Sequence, residues 1–139
     1  MLNILQDLQE KFHLTYFFIA HDLAVVRCIS SRVAIIYLKR IVEPAETDEL
    51  FVNPRHPYTE VLVSAVPLPD PDFNTGRIHP EGDVSSLINP PPGRNFHPRC
   101  GYAQAICKTD NPAYRDVGNN HFVTGHFADS LNLRPLWTG

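Results

Sequence analysis

The sequence predicts an α/β fold in its first half and a proline-rich, loop-dominated extension in its second, and three observations carry that division. An apolar run ending in a polar corner, Phe17-Phe18-Ile19-Ala20-His21-Asp22, passes directly into residues with helical spacing, Leu23, Val26 and Ile29. Val33-Ala34-Ile35-Ile36-Tyr37-Leu38 is rich in β-branched and aromatic side chains, and Arg40-Ile41-Val42-Glu43 follows it closely enough to be its antiparallel partner. From Pro67 onward the chain collects ten of its thirteen prolines and all seven glycines. The composition therefore places a boundary between residues 1–66 and 67–139.

The elements follow in order. Leu2, Leu5, Leu8 and Phe12 recur at three- and four-residue steps opposite Gln6, Asp7, Gln9, Glu10 and Lys11, which predicts an amphipathic helix that needs a sheet to cover. The run from Phe17 to Ala20 reads as a strand. In an open α/β sheet, ligands sit beyond the carboxyl ends of the strands, so the side chain at the strand end, His21, is aimed at any bound ligand. Asp22 is placed to cap the helix that follows, because its carboxylate accepts from the first-turn N–H groups. Cys28 on that helix reads as a small buried apolar residue. A hairpin turn falls near Leu38-Lys39, Thr47 is a candidate N-cap for a short helix stopped by Pro54, and Pro57 suits the first position of the next helix. Val61, Leu62, Ala65 and Val66 give that helix an apolar stripe, while His56 and Tyr58 read as packing and hydrogen-bonding residues.

Proline cannot donate to a sheet ladder, so the run Pro67-Leu68-Pro69-Asp70-Pro71 opens a stiff, extended half in which only short strands are expected, around Arg77-Ile78 or His121-Phe122-Val123. Tight turns are expected at Gly76, Gly82, Gly93 and Gly118.

A chain of 139 residues with 43% apolar residues and net charge −3 suits one ordinary domain, and no basic patch argues for nucleic acid. The longest apolar runs fall far short of the ~20 residues needed to span a bilayer, so no membrane insertion is expected. Met1-Leu2-Asn3-Ile4-Leu5-Gln6-Asp7 has neither a basic region nor a long apolar one, which points to the cytoplasm. There a disulfide between Cys100 and Cys107 is disfavoured against free thiols or metal ligands.

Residues 14–66, with Ile19-Ala20-His21-Asp22-Leu23 at their centre, resemble the end of the ATP-binding subunit of dipeptide and oligopeptide ABC importers. Asn53-Pro54-Arg55-His56-Pro57-Tyr58-Thr59 matches the Arg-His-Pro-Tyr element that introduces that family's C-terminal extension. Asn89-Pro90-Pro91-Pro92-Gly93, Phe96-His97-Pro98-Arg99-Cys100-Gly101-Tyr102-Ala103 and Ile106-Cys107 reproduce the extension itself, over residue 81 to about 126. The resemblance implies the C-terminal part of an ABC-type nucleotide-binding domain followed by the peptide-importer extension. It implies that His21 is the switch histidine, contacting the γ-phosphate of ATP and helping to hold the attacking water, a positioning role typical of phosphoryl transfer. Partners implied are the transporter's membrane subunits and a second ATP-binding subunit, with the protein peripheral at the inner face of the membrane.

The sequence departs from the family at three places. Lys39 stands in the hairpin turn where relatives usually carry glycine, at a cost on the order of 1 kcal/mol if φ is positive. Cys100 and Cys107 match two of four cysteines that look like iron–sulfur ligands in many relatives, but Arg94 and Gly125 occupy the other two positions. Neither can replace a thiolate, so the resemblance does not carry the cluster to this chain; His97, His121 or His126 would have to complete a mixed site. Finally, no Gly-x-x-x-x-Gly-Lys-Ser/Thr loop, no apolar strand ending in Asp-Glu and no ABC signature loop occurs in these residues. ATP and Mg²⁺ are thus expected only where another segment supplies those parts, and the isolated chain is expected to be inactive with an open sheet edge. Two other readings stand beside this one: a non-catalytic module docking on transporter subunits through its proline-rich half, and a small Cys/His metalloprotein built on Cys100 and Cys107.

Overall fold

The computed structural model describes residues 2–67 and 76–136, which leaves residues 68–71 of the boundary run outside the described part. Helix α1 (Leu2–Phe12) forms where the periodicity places it. It ends through His13 at φ +52°, with the Leu14 N–H donating to Gln9 O at 3.2 Å, the left-handed helix ending. None of its residues is fully buried: Leu2 and Leu5 are half-buried, and Ile4 and Phe12 stay exposed.

Residues 17–20, expected as a strand, are not one. A strand exists only when a neighbour takes up its N–H and C=O groups, and no described segment pairs with this run; Phe17 and Ile19 are 88% and 86% exposed. Helix α2 (Leu23–Ile29) then starts as expected, with Asp22 Oδ1 accepting from the Ala24 N–H at 2.8 Å. Leu23 and Val26 pack against the core, whereas Cys28 is exposed, not buried. At 3.6 residues per turn it lies on the opposite side of the helix from those two anchors.

Strands β1 (Arg32–Tyr37) and β2 (Arg40–Glu46) form an antiparallel pair. The two-residue connection holds Leu38 at φ +46° and Lys39 at φ +64°, the turn geometry whose twist suits a hairpin and whose second position usually favours glycine. Val33, Ile35 and Tyr37 alternate inward. The register slips between Ile35, opposite Glu43, and Ile36, opposite Ile41, so Val42 is the extra residue of a β-bulge. The bulge breaks the two-residue period, and Val42 and Glu43 are buried side by side.

Helix α3 (Thr47–Val52) follows directly. Thr47 does not cap it: Glu46 holds that position, while the Thr47 hydroxyl donates to Ser30 O at 2.5 Å and fixes the helix start to the end of α2. Helix α4 (Pro57–Ser64) opens with Pro57 at its first position and His56 as N-cap, the His56 Nδ1 accepting from the Tyr58 N–H at 3.1 Å. The side of α4 that is fully covered carries Thr59, Glu60 and Val63; the expected stripe of Val61, Leu62 and Val66 is half-buried and Ala65 is exposed. The extension explains the difference, since Glu60 Oε1 accepts from the Arg134 N–H at 2.8 Å and from the Tyr102 hydroxyl at 3.2 Å.

Beyond residue 76 regular structure is sparse, as the prolines require. A 3₁₀ turn (His97–Arg99), a short helix α5 (Ile106–Thr109) and an antiparallel pair β3 (Tyr114–Asp116) and β4 (Phe122–Thr124) are its elements. The strand expected near Phe122 is present. The one near Arg77-Ile78 is not, because the Ile78 N–H donates instead to Ser64 Oγ at 3.1 Å. Gly93 must be glycine: φ is +72°, and a Cβ there would lie 2.6 Å from Cys107 O.

The core draws on both sides of the proline run, with Phe96 and Leu136 packed among Val33, Ile35, Tyr37, Val42, Ala45, Leu50, Phe51 and Val63. Tyr37, Tyr58 and Phe96 form an aromatic triangle with centroids 4.6–5.3 Å apart. At its edge, Glu43 is fully buried and its oxygens accept from the Arg55 N–H at 2.7 Å, the His56 N–H at 2.9 Å and His121 Nε2 at 2.6 Å. One carboxylate thereby joins β2, the turn into α4 and the start of β4. His121 is itself 1% exposed, and its other nitrogen lies 3.5 Å from Glu49 Oε1.

Two outcomes follow for the 139-residue chain. Glu43→Ala leaves two buried donors and one half-buried donor without an acceptor and is expected to lower urea-unfolding stability by about 3–5 kcal/mol, whereas Glu46→Ala, exposed on the same strand, should change it by about 0.5 kcal/mol or less. Burial, and secondarily the Arg94 charge, hold the His56 pKa well below the usual 6.5. Because the unfolded chain then binds a proton that the folded one refuses, this contribution is complete above pH 6.5 and lost as pH falls below it, by about 1 kcal/mol between pH 7.5 and 5.5. His56→Asn, which keeps an acceptor for the Tyr58 N–H, should flatten that slope in urea titrations at the two pH values.

Candidate functional site

The corner singled out by the sequence lies where the irregular segment meets α2. His21 is exposed, and the following residue, Asp22, commits its carboxylate to the Ala24 N–H. The cap fixes the backbone of the corner while leaving the imidazole accessible from solvent. A neutral imidazole there can donate from one nitrogen and accept at the other. That is one contact for a phosphate, not a phosphate site. A nucleotide triphosphate needs a cradle of backbone N–H groups and a metal ligand, and these residues carry neither motif. Among the described residues no group of three or more His, Cys, Asp or Glu side chains is gathered as a metal would require. The corner therefore offers a single accessible imidazole on a capped helix start, and no hydrolytic step can be built from these residues alone.

His56 and Tyr58 lie far from chemistry of that kind. His56 is 1% exposed and caps α4, and Tyr58 packs its ring on Tyr37 and Phe96. The Arg-His-Pro-Tyr element works here as a structural joint, with both leading amides held by Glu43.

Cys107 is buried and Cys100 half-buried, and burial raises the Cys100 pKa, keeping it a neutral thiol. The histidines that might have joined them are engaged elsewhere: His97 Nδ1 lies 2.8 Å from Arg94 O, His121 binds Glu43, and His126 Nε2 lies 3.1 Å from Asp110 O. Arg94, at one of the positions where a thiolate would be needed, brings a positive charge into the interior at 4% exposure. The residues present do not fit an iron–sulfur cluster.

Sequence reasoning missed the buried polar residues Glu43, Glu60 and Arg94. Glu43 stands opposite the inward-facing Ile35 and two residues before the buried Ala45, so pairing puts it inside, while the bulge adds Val42 to the same side; nothing in the local pattern marks a glutamate for burial. Arg94 was visible as an oddity, an arginine at an expected cysteine, without any sign of its burial.

The sequence profile of the family described as "Oligopeptide/dipeptide transporter, C-terminal region" matches residues 42–107, beginning inside β2 at the bulge. A protein of Brucella ovis named as a peptide import ATP-binding protein is 48% identical over 122 residues, covering 88% of this chain and 38% of that protein. The oligopeptide transport ATP-binding protein AppF of Bacillus subtilis is 44% identical over 91% of this chain and 39% of its own length. The dipeptide transport ATP-binding protein DppF of Escherichia coli is 44% identical over 85% of this chain and 35% of its own. The chain thus spans little more than a third of the length of these relatives. Residues 42–107 thus carry the oligopeptide/dipeptide transporter C-terminal region, and the chain as a whole, with its β-hairpin and Arg-His-Pro-Tyr joint, is similar over most of its length to part of these peptide-import ATP-binding proteins.

Proposed function

We propose that these residues form the C-terminal part of the ATP-binding subunit of a peptide importer, with residues 1–66 belonging to the nucleotide-binding domain and 67–139 to the importer-specific extension. In this reading ATP with Mg²⁺ is held by a phosphate loop and metal-binding motif on another segment or polypeptide, and His21 meets the γ-phosphate from its own side. His21 is the positioning and charge-stabilising group. Asp22 keeps it at the start of α2 by capping the helix. The exposed faces of the front half suit the same reading, since α1 and the segment around Phe17 and Ile19 present apolar side chains that a larger sheet would cover. The assembled protein would sit at the inner face of the membrane with the transporter's membrane subunits and a second ATP-binding subunit. No helix among the described residues is long and apolar enough to cross the membrane itself.

The observation that carries the proposal is the accessible imidazole on a capped helix start, in a chain that peptide-import ATP-binding proteins match over nearly nine tenths of its length. The test is complementation in vitro. The 139-residue chain alone should not release phosphate from ATP. Mixed with a polypeptide supplying the phosphate loop, metal-binding strand and signature loop, it should restore hydrolysis, and His21→Ala should reduce the restored turnover by about 10²-fold or more. Hydrolysis by the chain alone would overturn the proposal. Binding to transporter subunits with no hydrolysis under any pairing would favour the non-catalytic docking module.

A further inference from the structure

The least expected group in the interior is the Arg94 guanidinium. It is 4% exposed, yet its Nε and Nη2 have no hydrogen-bond partner. Burying a charge without a partner is costly, and a native fold keeps one only where something compensates it. No salt bridge is formed by Arg94 among the described residues, and the nearby ionisable side chains that feel its charge, His56 and Cys100, are both held neutral, one well below and one above its usual pKa.

Arg94 also lines a cleft of about 510 Å³ between the β1–β2 hairpin and the extension. That size is typical of small-molecule sites. The lining contains no carboxylate. Its charged groups are Arg94, Lys39 and Arg40, its amides Asn95 and Asn111, and its walls include the rings of Tyr37, Phe96 and Tyr114. Lys39 belongs to this set because the hairpin turn carries it, in the left-handed conformation that normally favours glycine; the strained residue places a cation at the cleft.

We propose that this cleft binds an organic anion whose carboxylate or phosphate oxygens engage the Arg94 guanidinium, with Lys39 and Arg40 adding charge and the aromatic walls receiving an apolar body. A guanidinium offers parallel N–H donors that match two oxygens of either group, which a lysine cannot reproduce. The site is separate from the His21 corner and does not depend on the transporter reading.

The experiment uses the 139-residue chain with three probes at equal ionic strength: inorganic phosphate, benzoate as a carboxylate with an apolar body, and chloride. Thermal unfolding midpoints and titration calorimetry are read together. Phosphate or benzoate should bind saturably and raise the midpoint while chloride does not, the stronger of the two identifying the anion type. Arg94→Met should weaken that binding by about tenfold or more. Should Arg94→Met fail to fold, Arg94→Lys, which keeps the charge and loses the paired donors, should still weaken it several-fold, as should Lys39→Gly. Absence of saturable binding by the unmodified chain, or binding that survives Arg94→Lys and Lys39→Gly unchanged, overturns the proposal.

Discussion

One buried carboxylate organises the molecule. Glu43 accepts from two consecutive amides, at Arg55 and His56, and from the ring of His121, which lies 78 residues further along the chain. Hydrogen bonds to an ionised group are among the stronger ones, and leaving any of these donors unpartnered inside the core would cost more than a surface bond is worth. Glu43 stands opposite the inward-facing Ile35, and the bulge at Val42 lets the apolar side chain before it turn inward as well. The hairpin, the Arg-His-Pro-Tyr turn and the extension are therefore one construction. The family profile begins at residue 42, and the residue after it is the one that ties the extension down.

That construction gives the two ends of the chain different characters. From β1 to Leu136 the described residues close on one another: the Leu136 N–H donates to Phe51 O at 2.9 Å, the Arg55 guanidinium reaches Ala128 O at 3.3 Å, and Glu60 gathers Tyr102 and Arg134. Residues 2–22 do not close in this way. They touch the rest through α2 and the bond from Gln6 to Cys28 O, and leave large apolar side chains in water. The proposed catalytic contact, His21, sits where these two regimes meet. Such a histidine can be positioned by its capped helix, but only an additional sheet and phosphate cradle could give it a substrate to act on.

Legibility in the sequence followed the range of the forces involved. Local rules were readable: the α1 stripe, the Asp22 cap, the hairpin with its turn at Leu38-Lys39, Pro57 at a helix start, and the turn glycines at 76, 82, 93 and 118 all depend on residues within a few positions. The failures share a cause. Residues 17–20 have strand-like side chains but no neighbour to pair with, Thr47 prefers a distant carbonyl at Ser30 to its own helix, and the buried side of α4 is chosen by Tyr102 and Arg134. Each outcome is set by a partner far away in sequence. The same holds for the candidate sites. The exposed corner at His21 could be singled out because its motif is local, whereas Arg94 could be recognised as a departure from a cysteine pattern but its burial beside a carboxylate-free cleft could not.

The claim on which this account rests, that Glu43 holds the Arg-His-Pro-Tyr turn inside the core, is tested most directly by native-state hydrogen exchange at the Arg55 and His56 amides. The account predicts that both exchange as slowly as the amides of the β1–β2 ladder and only through global opening, and that Glu43→Gln accelerates these two sites first. Exchange at Arg55 and His56 as fast as in the exposed segment around Phe17 and Ile19 would contradict it.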